Sequence, residues 1–223
     1  RPLKFLKHTQ QSKVGMNLSI SAGQPCDLAE LKEFLDRQNQ IRTFGFVFSG
    51  EQGELERRFR SWDDFSISSF YIVRDPSCAI IGCMAPWSTT KGRRVVVDKF
   101  PDSLEIAGSA LKLFGKKFPV VGQELEILYL THLEIEHSLA MADKQSIFSG
   151  LLDALYDSGM VKQYHMLAYC DYNRESFLPA MEKDYVVQKT QTVLYQLHHP
   201  AFQGEVIRED QQAVHVGHEM CLT

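Results

Sequence analysis

Hydrophobic positions along the chain fall into short alternating stretches and longer stretches of helical spacing. Asn17 to Ala22 alternates, with Leu18 and Ile20 on one side, and predicts a strand. Asp27-Leu28-Ala29-Glu30 then places an acid with a Glu three positions on, the pattern of a capping box with Asp27 as the cap. Behind it Leu28, Leu31, Phe34 and Leu35 share one helical face through about Gln38. Gly45 to Phe48 is too short to assign. Leu55, Phe59 and Trp62, four and three apart, predict a short helix carrying Glu54, Arg57 and Arg58 outward.

Ser66 to Arg74 and Cys78 to Met84 are two apolar stretches flanking Asp75-Pro76-Ser77, which is turn chemistry. They predict an antiparallel hairpin, in which Gly82 marks a bulge or a close approach. Val95 to Val97 is expected to extend this meander, and Asp102 to Phe114 to form a capped helix with Leu104, Ala107, Leu111 and Phe114 inward. Leu125 to Ile135 is apolar on both faces, as in the middle of a sheet. Ile147, Phe148, Leu151, Leu152 and Leu155 give a helix stopped by Gly159. Tyr164 to Cys170 reads as another strand, Asn173 opens a short helical stretch, and Tyr185 to Leu197 reads as one bent strand or two joined ones. Strand–helix–strand at the end requires a parallel pair bridged by a crossover. The fold class is therefore α/β, a mixed central sheet with flanking helices.

Composition narrows the function classes. Of 223 residues 44% are apolar, an ordinary globular proportion. The formal charge is -4 and the pI near 6.1, without the clustered Lys and Arg of a nucleic-acid footprint. No apolar run approaches the roughly 18 residues that span a bilayer, so neither nucleic acid nor membrane is expected as a partner. Five cysteines, an odd and scattered set (Cys26, Cys78, Cys83, Cys170, Cys221), favour a reducing, cytoplasmic setting over a disulfide framework. Residues 1–15 carry Arg1, Lys4, Lys7 and Lys13 without an acid and read as a basic extension. Residues 16–197 read as the folded domain, and 198–223 as a tail. His215, His218 and Cys221 have a spacing zinc can tolerate, but structural zinc sites use closer-matched pairs. No metal site is expected.

The order and spacing of several segments resemble the GNAT superfamily, the N-acetyltransferases related to histone acetylases. These segments are SISAGQPCDLAELKEFL, YIVRDPSCAIIGCM with its Ile81-Gly82 pair, LYLTHLEI, IFSGLLDAL and YNRESFLPAMEKDYVV. The resemblance covers most of the chain and is best over Leu125 to Leu197. It implies a fourth strand that carries a bulge and splays from the fifth, with acetyl-CoA or another acyl-CoA lying between them as substrate. The pantetheine amides would pair with Leu133 and Ile135, a form of strand addition. The pyrophosphate would meet the start of the next helix, at Ser146, Ile147 and Ser149, with Lys144 in reach. Asn173 would hold cofactor or acceptor. The acceptor would be a small-molecule or peptide amine, and a homodimer is compatible with the resemblance.

Two departures stand out. The family's loop reads Gln/Arg-x-x-Gly-x-Gly/Ala, because glycines let backbone amides close on phosphate. Asp143, Lys144, Gln145, Ser146, Ile147 and Phe148 occupy those places, in a connection about three residues longer than usual. In many relatives a Tyr seven residues after the Asn protonates the leaving thiolate. Here that place is Ala180, and Pro179 beside it interrupts the helix, leaving Tyr172, Tyr169 or water to substitute.

Transfer to an amine needs a general base within reach. His132 and Glu134, two apart on one strand, share a face and form a candidate base, or a base with its orienting carboxylate. Glu126 and Tyr129 are weaker candidates. The functional expectation is a GNAT-type acyltransferase moving an acyl group, acetyl in the first instance, from CoA to an amine by direct transfer. The alternative is a catalytically degenerate GNAT-fold ligand-binding or interaction module.

Overall fold

Five strands pair in sequence order: β1 (Ser19–Ala22), β2 (Tyr71–Arg74), β3 (Ile80–Trp87), β4 (Ile127–Ile135) and β5 (Met166–Ala168). The computed structural model describes residues 18–40, 46–48, 53–89, 94–100, 118–170, 176–185, 187 and 189. Neighbouring strands are antiparallel except the last pair, β4–β5, which is parallel. The mixed sheet foreseen from the strand–helix–strand order is thus present, with helices on both faces.

On one face lie α1 (Leu28–Asn39) and α2 (Glu54–Ser61). Leu31, Phe34 and Leu35 of α1, with Leu55 of α2, pack against Ile72, Ile80, Cys83 and Ala85 from β2 and β3. The other face is covered by α3 (Met141–Asp157), whose Ile147, Phe148, Leu151, Leu152 and Leu155 meet Val73, Met84, Leu128, Leu130 and Ile135. Each of those five α3 side chains is at most 3% exposed, so each contributes about 1.5–3 kcal/mol of apolar burial. A short helix α4 (Leu178–Asp184) closes this side through Met181.

Local chemistry explains the ends of these elements, and several differ from the pattern reading. Asp27 stands before α1 but makes no capping bond to it. Its carboxylate instead accepts the Gln24 N–H at 2.7 Å and Arg74 Nη2 at 2.9 Å, within a 3-10 turn over Pro25–Asp27. Glu30 turns to the hairpin, accepting Ile80 N–H at 3.0 Å and Arg74 Nη1 at 2.7 Å. α1 is thereby tied to the β2–β3 turn rather than to its own first amides. Gly82 does mark a close approach: a Cβ there would lie 3.2 Å from Ile147 Cγ2, and the β2–β3 register shifts beside it. Gly159, at φ 76°, ends α3 in the left-handed region.

Three other elements shift. Val96 does not extend the meander; it makes a single bridge to Glu124, outside the five-stranded sheet. Ile67–Ser69 is a 3-10 turn, so β2 begins only at Tyr71. Pro179 sits in the first turn of α4, where a missing N–H costs nothing, and so starts that helix instead of interrupting it. The readings of Asp102 to Phe114, of most of Tyr185 to Leu197, of residues 1–15 and of 198–223 lie outside the described residues. No helix among the described residues is long and apolar enough to cross a membrane.

Candidate functional site

The β4–β5 pair is fastened at one end and ends early. His165 N–H donates to Glu126 O at 2.9 Å and Glu126 N–H to His165 Nδ1 at 3.0 Å, just ahead of the strands. The register then runs Ile127↔Met166, Leu128↔Leu167 and Tyr129↔Ala168, and stops. β4 continues to Ile135 along β3 alone, so among the described residues Leu130–Ile135 has strand pairing on one side only. Glu126 and Tyr129 belong to the fastened end.

Beyond that end, β4 bulges. Ala85 pairs with Thr131 and Cys83 with Glu134, so Met84 faces both His132 and Leu133. His132 takes the irregular place with φ 48°, a left-handed conformation that costs a non-glycine residue roughly 1–2 kcal/mol. Leu133 and Ile135 pack on the α3 side of the sheet. Alternation therefore turns Glu134, like His132, toward the α1 and α2 side.

His132 is 2% exposed, inside a ring of aromatic side chains. Phe65 stacks on its imidazole at 5.3 Å between centroids, and Phe70 meets it edge-on at 5.2 Å. Phe48 and Trp62 each stand at 5.8 Å, and Trp62 stacks in turn on Trp87 at 4.1 Å. Arg58 Nη1 donates to Nε2 at 2.6 Å. A guanidinium nitrogen has no lone pair to offer, so Nε2 is the acceptor and the imidazole proton is on Nδ1. That N–H donates to Thr131 Oγ1 at 2.8 Å, whose hydroxyl donates to Ala85 O at 2.7 Å. The bulge residue's own carbonyl accepts Cys83 Sγ at 3.3 Å.

Arg58 itself departs from expectation. The amphipathic reading of α2 turned it outward with Glu54 and Arg57, whereas it is 0% exposed. Its guanidinium lies 4.6 Å from the Phe46 ring centroid, 5.0 Å from that of Trp62 and 5.5 Å from that of Phe48, and its Nε donates to Glu54 Oε1 at 2.9 Å. Periodicity alone held the clue, since positions 55, 58, 59 and 62 make one helical stripe. Burying a charged residue in that stripe is costly when the charge stands alone. Here π faces, Glu54 and His132 offset the cost. Burial pushes the Glu54 carboxyl up, but hydrogen bonds from Arg57 and Arg58 outweigh it and hold the group below its ordinary value.

The residues expected to meet pyrophosphate lie elsewhere than foreseen. α3 begins at Met141, with Ala140 before it, so Lys144, Ser146, Ile147 and Ser149 are inside the helix rather than at its start. Lys144 N–H already donates to Ala140 O at 3.0 Å. Lys144 is 4% exposed, one turn before Ile147 on the inward stripe. Ile147 and Phe148 are core, Phe148 stacking on Phe177 at 4.8 Å and meeting Tyr169 at 5.7 Å. The connection from β4 is then Glu136 to Ala140, shorter than foreseen and without glycine.

α1 grips this connection. Glu136 Oε2 accepts Arg37 Nη2 at 3.0 Å and Gln38 Nε2 at 3.1 Å, and His137 N–H donates to Gln38 Oε1 at 3.2 Å. Burial raises the Glu136 carboxyl, while Arg37, the Ser138 amide and Gln38 together bring it below its ordinary value. Ala180 is in α4, and Asn173 and Tyr172 lie outside the described residues. Among the described residues no group of three His, Cys, Asp or Glu is placed to hold a metal ion. His215, His218 and Cys221 are not among them.

No family model matches the chain, and no curated protein does. Among solved structures, the chain is similar to a ribosomal-protein-alanine N-acetyltransferase from Brucella melitensis biovar Abortus 2308. The identity is 11%, over 82% of this chain and 99% of that one, with a TM-score of 0.47. An aminoglycoside acetyltransferase from an uncultured soil metagenomic sample aligns at 14% identity over 82% and 100%, TM-score 0.45. A Trypanosoma brucei acetyltransferase aligns at 13% over 81% and 100%, TM-score 0.44.

Proposed function

We propose that this protein is a divergent GNAT-type N-acyltransferase that moves an acyl group, acetyl in the first instance, from CoA directly to an amine. One observation carries the reading: among the described residues β4–β5 pairing ends at Tyr129↔Ala168 while β4 runs on past a left-handed bulge at His132. A strand edge without a strand partner among the described residues offers N–H and C=O groups to an amide-bearing arm, and Leu133 and Ile135 are the residues assigned to it. The phosphates are assigned to the first amides of α3, at Met141 and Ala142, ahead of the Ser146–Ser149 stretch.

In this reading Glu134 accepts the amine proton. His132 Nε2 already accepts from a guanidinium, so taking a proton there would set two cations against each other. His132 instead holds the strand that carries Glu134. Glu134→Gln is expected to lower kcat by about 10²–10⁴-fold while leaving acetyl-CoA affinity in place. Release of CoA thiol with a panel of primary amines, alongside titration calorimetry, measures both. No heat with millimolar acetyl-CoA and no thiol release with any amine would remove the enzyme reading.

The second reading is a GNAT-like module that binds a ligand or partner without turnover. The glycine-free connection favours it, since glycines are what let backbone amides close on a phosphate. It expects no thiol release by the unaltered protein.

A further inference from the structure

We infer that Arg58 is a positioning residue for the strand edge at Leu133–Ile135, acting through His132. This deepens the acyltransferase reading and rests on it for its kinetic part only. Arg58 belongs to α2, outside the sheet, and is carried to β4 by a helix whose stripe Leu55, Arg58 and Trp62 faces inward. An arginine cannot shed its charge when buried. Its donors therefore need acceptors, and one of them is the imidazole at the bulge.

The direction of the hydrogen bonds matters. Arg58 donates to Nε2, the Nδ1 proton goes to Thr131 Oγ1, and the Thr131 proton goes to the Ala85 carbonyl of β3. Every link fixes the next, so the guanidinium selects one imidazole tautomer and one ring orientation. The backbone of His132 is held at the same time by Cys83 Sγ on its carbonyl. A residue with φ 48° is unfavourable unless its surroundings insist on it. Without the bulge, a one-residue slip would exchange the faces of Leu133, Glu134 and Ile135. Arg58 is thus what keeps Glu134 on the α1 and α2 side and the Leu133–Ile135 amides at the open edge.

The test uses the full chain, uniformly labelled with 15N. Two-bond 1H–15N correlation is expected to show His132 as neutral with the proton on Nδ1 at neutral pH. Arg58→Met should abolish that single tautomer and move the amide resonances of Leu133, Glu134 and Ile135. Arg58→Lys, which keeps a charged donor, should recover the tautomer in part. The KM for acetyl-CoA should rise about ten- to a hundredfold in Arg58→Met and kcat should fall with it, because the variant displaces both the binding edge and Glu134. If Arg58→Met fails to fold, Thr131→Val removes the other partner of the imidazole and, with Arg58 still donating to Nε2, should leave the proton on Nδ1; a shift to Nε2–H in that variant overturns the inference. An Nε2–H tautomer in the unaltered protein, or an Arg58→Met variant with His132 and the β4 amides unmoved, overturns the inference. Should the unaltered protein bind no acetyl-CoA, the enzyme reading falls, while the tautomer and amide shifts still decide the role of Arg58.

Discussion

Replacing His132 by alanine and by glycine separates the backbone of the bulge from its side chain. Both variants lose the imidazole from its aromatic ring of neighbours and the 2.6 Å bond from Arg58. Losing one partner of a buried charged contact costs about 3–5 kcal/mol, so both fall well below the unaltered protein. They differ only in what φ 48° asks of them. Alanine in the left-handed region costs roughly 1–2 kcal/mol. Glycine is spared that, but in an ordinary strand it is worse than alanine by roughly 0.5–1 kcal/mol. The central values leave glycine ahead by about 0.75 kcal/mol, the reverse of the usual order. With a urea m-value of about 2 kcal/mol/M, that is a midpoint roughly 0.3–0.5 M higher for His132→Gly in urea melts followed by circular dichroism. Alanine at or above glycine would refute a left-handed bulge at this position.

Other outcomes follow from particular contacts. A Cβ on Gly23 would sit 2.5 Å from the Ile67 carbonyl oxygen and 3.2 Å from Ile72 Cδ1, so Gly23→Ala is expected to destabilise by about 1–3 kcal/mol. A thermal midpoint that holds or rises in calorimetry would contradict that close approach. Phe148→Ala should cost about 3–5 kcal/mol in urea titration without improving acetyl-CoA affinity, because Phe148 is fully buried core; tighter binding would show the side chain to be blocking a phosphate site. Glu54 and Glu136 both titrate below the ordinary 4.5 when folded. Their contribution to stability is therefore present above about pH 4.5 and lost as pH falls through their folded values. Glu136→Gln should flatten the acid limb of a stability-against-pH curve, and an unchanged slope would count against the Arg37 and Gln38 contacts.

What was legible in the chain was apolar periodicity. The β2–β3 hairpin, the parallel β4–β5 pair and the inward stripe of α3 from Ile147 to Leu155 all follow from where Leu, Ile, Val and Phe fall. Charged residues on buried stripes were not legible. Arg58 and Lys144 continue the stripes of α2 and α3, yet burying either costs too much unless partners far away in sequence are already in place. Those partners are tertiary facts: His132 lies 74 residues from Arg58. The start of α3 at Met141 differs for another reason: placing the family's glycine loop on Asp143 to Phe148 puts the helix start near Ser146, where the chain is already helical. Asp27 misled differently. An acid before a helix has several acceptor sites, and Arg74 of the hairpin competes for them.

Whether the edge of β4 beyond Tyr129 receives an acyl-CoA arm is most directly read from backbone amides. Titrating 15N-labelled protein with acetyl-CoA should shift the resonances of Leu133, Glu134 and Ile135, together with Met141 and Ala142 at the start of α3. Leu128 and Tyr129, already paired with β5, should stay in place. Saturable shifts confined to the first set are the predicted result. Silence there at millimolar acetyl-CoA, or shifts scattered over surfaces away from β4, would contradict it.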